Sequence, residues 1–135
     1  MGMDQSVTFP DHIPMWEAVQ KLLAGCGYPV QMRMIDGELA FPDEAPPEAW
    51  REVRVGTSQG MVTVRRDGQR LVFVTWGNAD AAMRQAWNAL TWAFAAAGGG
   101  QIETTNGTMN PAAFMQRGEF PGEPAHFSGI GCEGV

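Results

Sequence analysis

The side chains with catalytic potential are few, and their spacing matches no catalytic or metal-binding pattern. The two histidines, His12 and His126, lie far apart in the sequence and form no His-x-x-x-His pair. The two cysteines, Cys26 and Cys132, form no Cys-x-x-Cys motif. A zinc site needs several converging ligands, and a serine or cysteine nucleophile needs a base within reach. We therefore expect no catalytic residue, no metal and no cofactor, and we interpret Cys26 as a buried thiol.

An acidic stretch runs from Asp36 to Glu52. It holds six carboxylates against one cation, Arg51. Because such acidic segments are usually solvated loops, we favour a loop over a cation-binding site here.

The overall charge limits the partners that this chain can bind. The 135 residues carry a formal net charge of −6 with nine lysines and arginines in total. Nucleic acid requires basic side chains to compensate its phosphates, so it is an unlikely ligand class. No apolar run reaches membrane-spanning length, and the first residues lack the basic and apolar regions of a signal peptide. We expect a cytoplasmic protein that binds neither nucleic acid nor membrane.

The elements that would position any site are clearest between Trp50 and Ala97. Two turns, Thr57–Gly60 and an Asp67-Gly68 type I′ turn, predict a three-strand meander. The predicted pairs share one apolar face: Val53 with Val64, Val55 with Val62, Val64 with Leu71, and Val62 with Phe73. The opposite face would hold Glu52 across from Arg65.

A long helix is predicted directly after this meander, from about residue 79 to 97. Asn78 or Asp80 would cap its start, and Gly98–Gly100 would end it. Apolar residues recur at helical spacing and would cover the valine face of the sheet. This core stripe is Met83, Trp87, Leu90, Phe94 and Ala97.

The remaining elements complete an α+β fold with a five-stranded antiparallel sheet. A helix follows Pro14, and an Asp36-Gly37 hairpin would place Met32, Met34, Leu39 and Phe41 on one face. The N-terminal helix and the long helix would lie on the same face of the sheet. We predict a loose arm over 1–12, the α+β domain over 13–100, and an irregular Gly/Pro-rich extension over 101–135. This extension would pack on the same domain and contain a short helix near 111–117.

The back of the long helix is the first candidate interaction surface. Trp92 points away from the core stripe, among small and uncharged residues. Either the C-terminal segment covers it, or another molecule does. We favour a homodimer or partner contact over these residues: Gln85, Asn88, Ala89, Trp92 and Ala96.

The candidate pocket is a space between the sheet and the helices. It would be lined by Met32, Met34, Phe41, Trp76 and Trp87. Two functions follow. Because methionine and tryptophan in such a layer usually belong to the core, we favour the first of the two functions named next. The chain is either a non-catalytic protein-interaction module (chaperone-like, adaptor or immunity-type) or a small-molecule-binding protein or enzyme.

One structural class offers an analogy. The helix and first strand over Trp16–Ile35, together with the overall acidity, resemble the secretion chaperones, which are small acidic dimeric proteins. That class places a helix inside the meander region, whereas Glu52 to Trp76 has no room for one. The resemblance implies partner binding, and we assign no family on it.

Overall fold

The computed structural model describes residues 2–77, 79–117 and 120, which form an α+β fold around one antiparallel sheet. Within these residues the sheet has eight strands, in the order β3-β2-β4-β5-β6-β1-β7-β8. The α+β class is therefore confirmed, and the predicted strand number of five is wrong. The elements are β1 (Gly2–Thr8), α1 (Trp16–Gly25), β2 (Gln31–Ile35), β3 (Glu38–Leu39), β4 (Glu52–Thr57), β5 (Gly60–Asp67), β6 (Arg70–Trp76), α2 (Ala81–Gly98), β7 (Gln101–Thr104), β8 (Gly107–Met109) and α3 (Pro111–Arg117).

Strand β1 replaces the loose arm that we predicted for residues 1–12. It lies inside the sheet, paired with β6 on one side and β7 on the other. Val7 faces the core and is fully buried, between Leu71 and Ile102. The strand escaped prediction because Gln5, a polar residue, occupies a second inward position and hides the apolar alternation.

The meander has the predicted faces but only part of the predicted register. The β4–β5 pairs are confirmed, including Glu52 opposite Arg65, which form an ion pair of 2.8 Å. In the β5–β6 hairpin the predicted register is wrong by two residues, because Val64 pairs with Phe73 and not with Leu71. The turn residues are Gly68 and Gln69, and only Gly68, at φ +65°, has a positive φ. A shift of two residues preserves the faces, since strand side chains alternate with period two.

The hairpin of β2 and β3 turns as predicted but contains a bulge. Asp36 and Gly37 both have positive φ, and Met34 pairs with Leu39. However, the pairing of β2 with β4 shifts between Met32 and Met34, so Arg33 is an extra residue. Met32 therefore faces the core, and Met34 faces the other side of the sheet.

The helix boundaries agree closely with their capping signals. The Oδ1 of Asp80 accepts a hydrogen bond from the Met83 amide at 2.9 Å, and Gly99 ends α2 at φ +67°. The alternative cap, Asn78, lies outside the described residues. Asn110 caps α3 in the same way, with its Oδ1 2.8 Å from the amide nitrogen of Ala113.

All three helices lie on one side of the sheet, with α2 at the centre. It contacts β1, β5, β6 and β7 as well as α1 and α3, so it is buried around most of its circumference. The buried surface of α2 is wider than the predicted stripe, because Ala89 and Trp92 are buried as well. Ala97, the last residue of the predicted stripe, is exposed. None of the described helices is both long and apolar enough to cross a membrane.

Candidate functional site

The predicted partner face of α2 lies mostly inside the chain. Asn88, Ala89 and Trp92 are at most 8% exposed, and among the predicted residues only Ala96 is exposed. The Trp92 ring meets Phe120 edge-on, with centroids 6.5 Å apart, and Phe120 in turn packs on Phe114. These contacts support covering by the C-terminal segment, which was one of the two alternatives.

Gln85, the remaining residue of that face, belongs to a series of side-chain hydrogen bonds that links α2, the β4–β5 turn and the segment after α1. Its Oε1 accepts a hydrogen bond from the side chain of Gln59 at 2.7 Å, and Gln59 accepts one from the Tyr28 hydroxyl at 2.8 Å. Burial raises the pKa of Tyr28, and its hydrogen bond with Thr57 lowers it to a smaller extent. These hydrogen bonds join the β4–β5 turn to α2 and have a structural role.

The predicted pocket residues do not come together. Met32 is fully buried, Met34 lies on the opposite side of the sheet, and Phe41 is 75% exposed. The Trp87 indole donates a hydrogen bond to the carbonyl oxygen of Phe73 at 2.7 Å, which fixes it against the sheet. Trp76 ends β6. The bulge at Arg33 is the main cause of the separation, because it reverses the face of Met34.

Within the acidic stretch, Asp36 has a structural role. The Asp36 Oδ1 accepts hydrogen bonds from the backbone amides of Glu52 at 2.9 Å and Arg51 at 2.8 Å. The Glu52 and Arg51 amides hold the pKa of Asp36 below its ordinary value. This side chain therefore joins the β2–β3 turn to the start of β4.

A groove beside the start of α1 has binding potential. Its volume is about 350 Å³. The Arg66 guanidinium carbon lies 4.5 Å from the centroid of the Trp50 ring, and burial lowers the pKa of Arg66. Among the described residues, neither Arg66 Nε nor Trp16 Nε1 has a hydrogen-bond acceptor, although both are buried. The lining also includes His12, Ile13, Pro14, Met15, Glu17, Pro46, Pro47 and Glu48.

The second surface is the side of the sheet opposite the helices, here called the open face. No described helix or strand packs on it, and its side chains are mostly exposed or half-buried. At its β3–β5 end lie the following residues, which we call the arginine–methionine patch: Arg33, Met34, Leu39, Arg54 and Met61.

The arginine–methionine patch combines exposed apolar and basic side chains. Leu39 is 88% exposed and pairs with Met34, which in turn lies opposite Arg54. Met61 is 46% exposed and pairs with Gly56. From the sequence, Met34 and Leu39 were expected on the same face as Met32, because β2 carries no glycine or proline that would signal the bulge.

No three histidine, cysteine, aspartate and glutamate side chains of the described residues are close enough to hold a metal ion. Cys26 is 4% exposed and disulfide-bonded, so the predicted buried thiol is wrong. Cys132 and His126 lie outside the described residues.

Comparison with known proteins adds no relative. No family model, no curated protein and no solved structure matches this chain. A functional proposal must therefore rest on the two surfaces described above.

Proposed function

We propose that this protein is a small non-catalytic interaction module, of a chaperone-like, adaptor or immunity type, that binds another protein through its open face. The observation that carries this proposal is the arginine–methionine patch. It places two large apolar side chains, Leu39 and Met61, in solvent beside two arginines.

Two physical arguments support a partner at this face. Apolar area in water costs about 25 cal/mol per Å², so covering Leu39 and Met61 would favour binding. An interface centre typically combines such apolar or methionine side chains with arginine, which is over-represented at interfaces. The homodimer predicted at the back of α2, around Trp92, stays a prediction.

The test is a comparative capture experiment with a matched control. We expect the wild-type protein to retain a partner from an extract of its source cells, and Leu39→Ser with Met61→Ser to lose it. Met15→Ser is the control, because Met15 is 71% exposed but lines the groove and not the patch. A partner retained equally by all three proteins would exclude the open face as the binding surface.

The cytoplasmic location remains a prediction. The disulfide at Cys26 weighs against it, because reducing systems in the cytosol keep most thiols reduced. Folding in the presence and absence of a reductant would measure how much stability depends on that bond.

The alternative function, binding of a small molecule, is favoured by one observation at the groove. Its volume lies within the range of about 300–1,000 Å³ that is usual for ligand pockets, and two buried N–H donors there lack acceptors. A ligand carrying a carboxylate would supply such acceptors if Arg66 shifted. A thermal-shift screen of small carboxylic acids tests this, with Arg66→Leu expected to abolish any shift that the wild type shows.

A further inference from the structure

We propose that the arginine–methionine patch binds an extended, acidic and apolar segment of a partner protein, whose carboxylates pair with Arg33 and Arg54. This inference rests on the proposed function and adds the chemical class of the partner.

Arg33 is held on the open face by the bulge. As the extra residue of β2, it reaches over Gly56 of β4, and a Cβ atom at Gly56 would lie 2.8 Å from the Arg33 Nε. A glycine at this position thus leaves the space that the arginine side chain occupies. The bulge interrupts the regular pairing of β2 with β4, and position 56 of β4 has no side chain. Together these two features place the Arg33 cation above the sheet.

Arg54 lies two residues before Gly56 on the same strand and the same face. Two residues of a strand span about 7 Å, so the place above Gly56 that the Arg33 side chain occupies lies about this far along β4 from the Cα of Arg54. Alternate side chains of an extended segment have the same spacing. Carboxylates at alternate positions of a partner segment can therefore meet both arginines, with Leu39 and Met61 available for its apolar residues.

Neither arginine is neutralised within the described part of the chain. The ion pairs there join Arg65 to Glu52 and Arg70 to Asp67, and no described carboxylate pairs with Arg33 or Arg54. The chain as a whole carries a charge of −6, which by itself repels any acidic ligand, a second copy of the chain included. Charges beyond about 8 Å are largely screened at physiological salt, and Glu52, two residues before Arg54 on the same face, is already paired with Arg65. The two arginines therefore determine the local preference for an acidic ligand.

The test uses two labelled peptides and fluorescence anisotropy at low salt. One short peptide carries leucine, glutamate, glutamate and leucine at successive alternate positions, so that these side chains share one face when it is extended, and the other has glutamine in place of every glutamate. We expect the wild type to bind the glutamate peptide at least about tenfold more tightly, and added salt to reduce this preference. Arg33→Gln combined with Arg54→Gln should bind both peptides equally.

Two further variants separate charge from position. Arg70→Gln is the matched control, because it removes a cation that already pairs with Asp67, and it should keep the tenfold preference. Gly56→Ala retains every charge but displaces the Arg33 side chain, so it should lose part of the preference. Circular dichroism would confirm that each variant remains folded.

The outcomes distinguish this inference from the proposed function. Equal binding of both peptides by the wild type, or no binding of either, overturns the acidic-segment inference. If Leu39→Ser with Met61→Ser still loses a captured partner, the open face stands as an interaction surface without it. A wild-type dimer in light scattering that Arg54→Gln dissociates would also overturn the inference, because a second copy would then occupy the patch.

Discussion

The side-chain amide of Gln5 on β1 donates a hydrogen bond to the Oδ1 of Asn88 on α2, at 3.0 Å. The same amide also donates to the Thr91 hydroxyl at 2.9 Å, and that hydroxyl donates to the carbonyl oxygen of Trp87. These polar groups are buried at the centre of the fold, where an unpaired donor or acceptor is costly. The bonds therefore fix α2 against β1, a strand that the sequence did not predict.

Replacing Gln5 tests this link. Gln5→Ala should lower the free energy of unfolding by about 1–3 kcal/mol, because it removes both hydrogen bonds at a buried site. Urea unfolding would measure the change. The control is Thr8→Ala on the same strand, whose exposed side chain should contribute little. Equal losses for the two variants would show that strand propensity, and not the polar contact, sets the effect.

The two faces of β5 give a second prediction. Val64 is fully buried, whereas Thr63 lies on the open face and is half-buried. Val64→Asp should destabilise the fold by at least about 3 kcal/mol, since it buries an unpaired carboxylate. Thr63→Asp should have a much smaller effect. Thermal unfolding of the two variants side by side is the measurement, and similar melting temperatures would contradict the assigned faces.

Asp36 predicts a pH dependence with a defined sign. Its pKa is lower in the folded state than the value of about 3.9 for an unfolded aspartate, so its charged form stabilises the fold. This contribution is complete above the unfolded value and is lost as the pH falls through the folded value. Asp36→Asn keeps an oxygen acceptor and tolerates the positive φ but lacks the charge.

The measurement is urea unfolding of the wild type and Asp36→Asn across acidic pH. The wild type should be more stable at neutral pH, and the difference should close as the pH falls below about 4. Because Asp36 is exposed, we expect a small difference. A difference that persists unchanged at the lowest pH would show that the carboxylate charge makes no contribution.

Trp92 gives the fourth prediction. It is 7% exposed and packs edge-on against Phe120, so Trp92→Ala should cost about 3–5 kcal/mol of unfolding free energy. If the chain itself covers this ring, the variant should lose stability without any change in mass by light scattering. Met15→Ala, at an exposed apolar position, is the control and should unfold like the wild type. A change from dimer to monomer on Trp92→Ala would support the helix-face contact instead.

Local signals explain which parts of the fold could be predicted. Asp36-Gly37, Asp80 and Asn110 are turn and capping residues whose side chains or backbone angles act within a few positions. The valine alternation of β4 and β5 depends only on pairing across a tight turn. The long-range element, β1, carried no such signal, because its inward Gln5 is satisfied only by α2, far along the chain.

The candidate surfaces show the same limit. From the sequence, both the C-terminal segment and another molecule stayed possible covers for Trp92, because Phe120, which meets the ring, could not be placed from a Gly/Pro-rich sequence. The arginine–methionine patch depends on one extra residue in β2, and a period-two pattern cannot detect a single bulge. The missed bulge reverses the face of Met34, and the cover of Trp92 depends on a distant segment, which is why the site was harder to predict than the fold class.

The position of β1 has a consequence for the order in which this chain can fold. Its hydrogen-bonding partners, β6 and β7, are synthesised much later, and one of them follows α2. Contacts between distant segments require loop closure before they stabilise anything, so folding rates fall as such contacts dominate. Until β1 inserts, β6 and β7 each present an unpaired edge, and exposed edges are sites of misassembly. Completion of the sheet by its first strand should therefore be the slow and aggregation-sensitive step of folding.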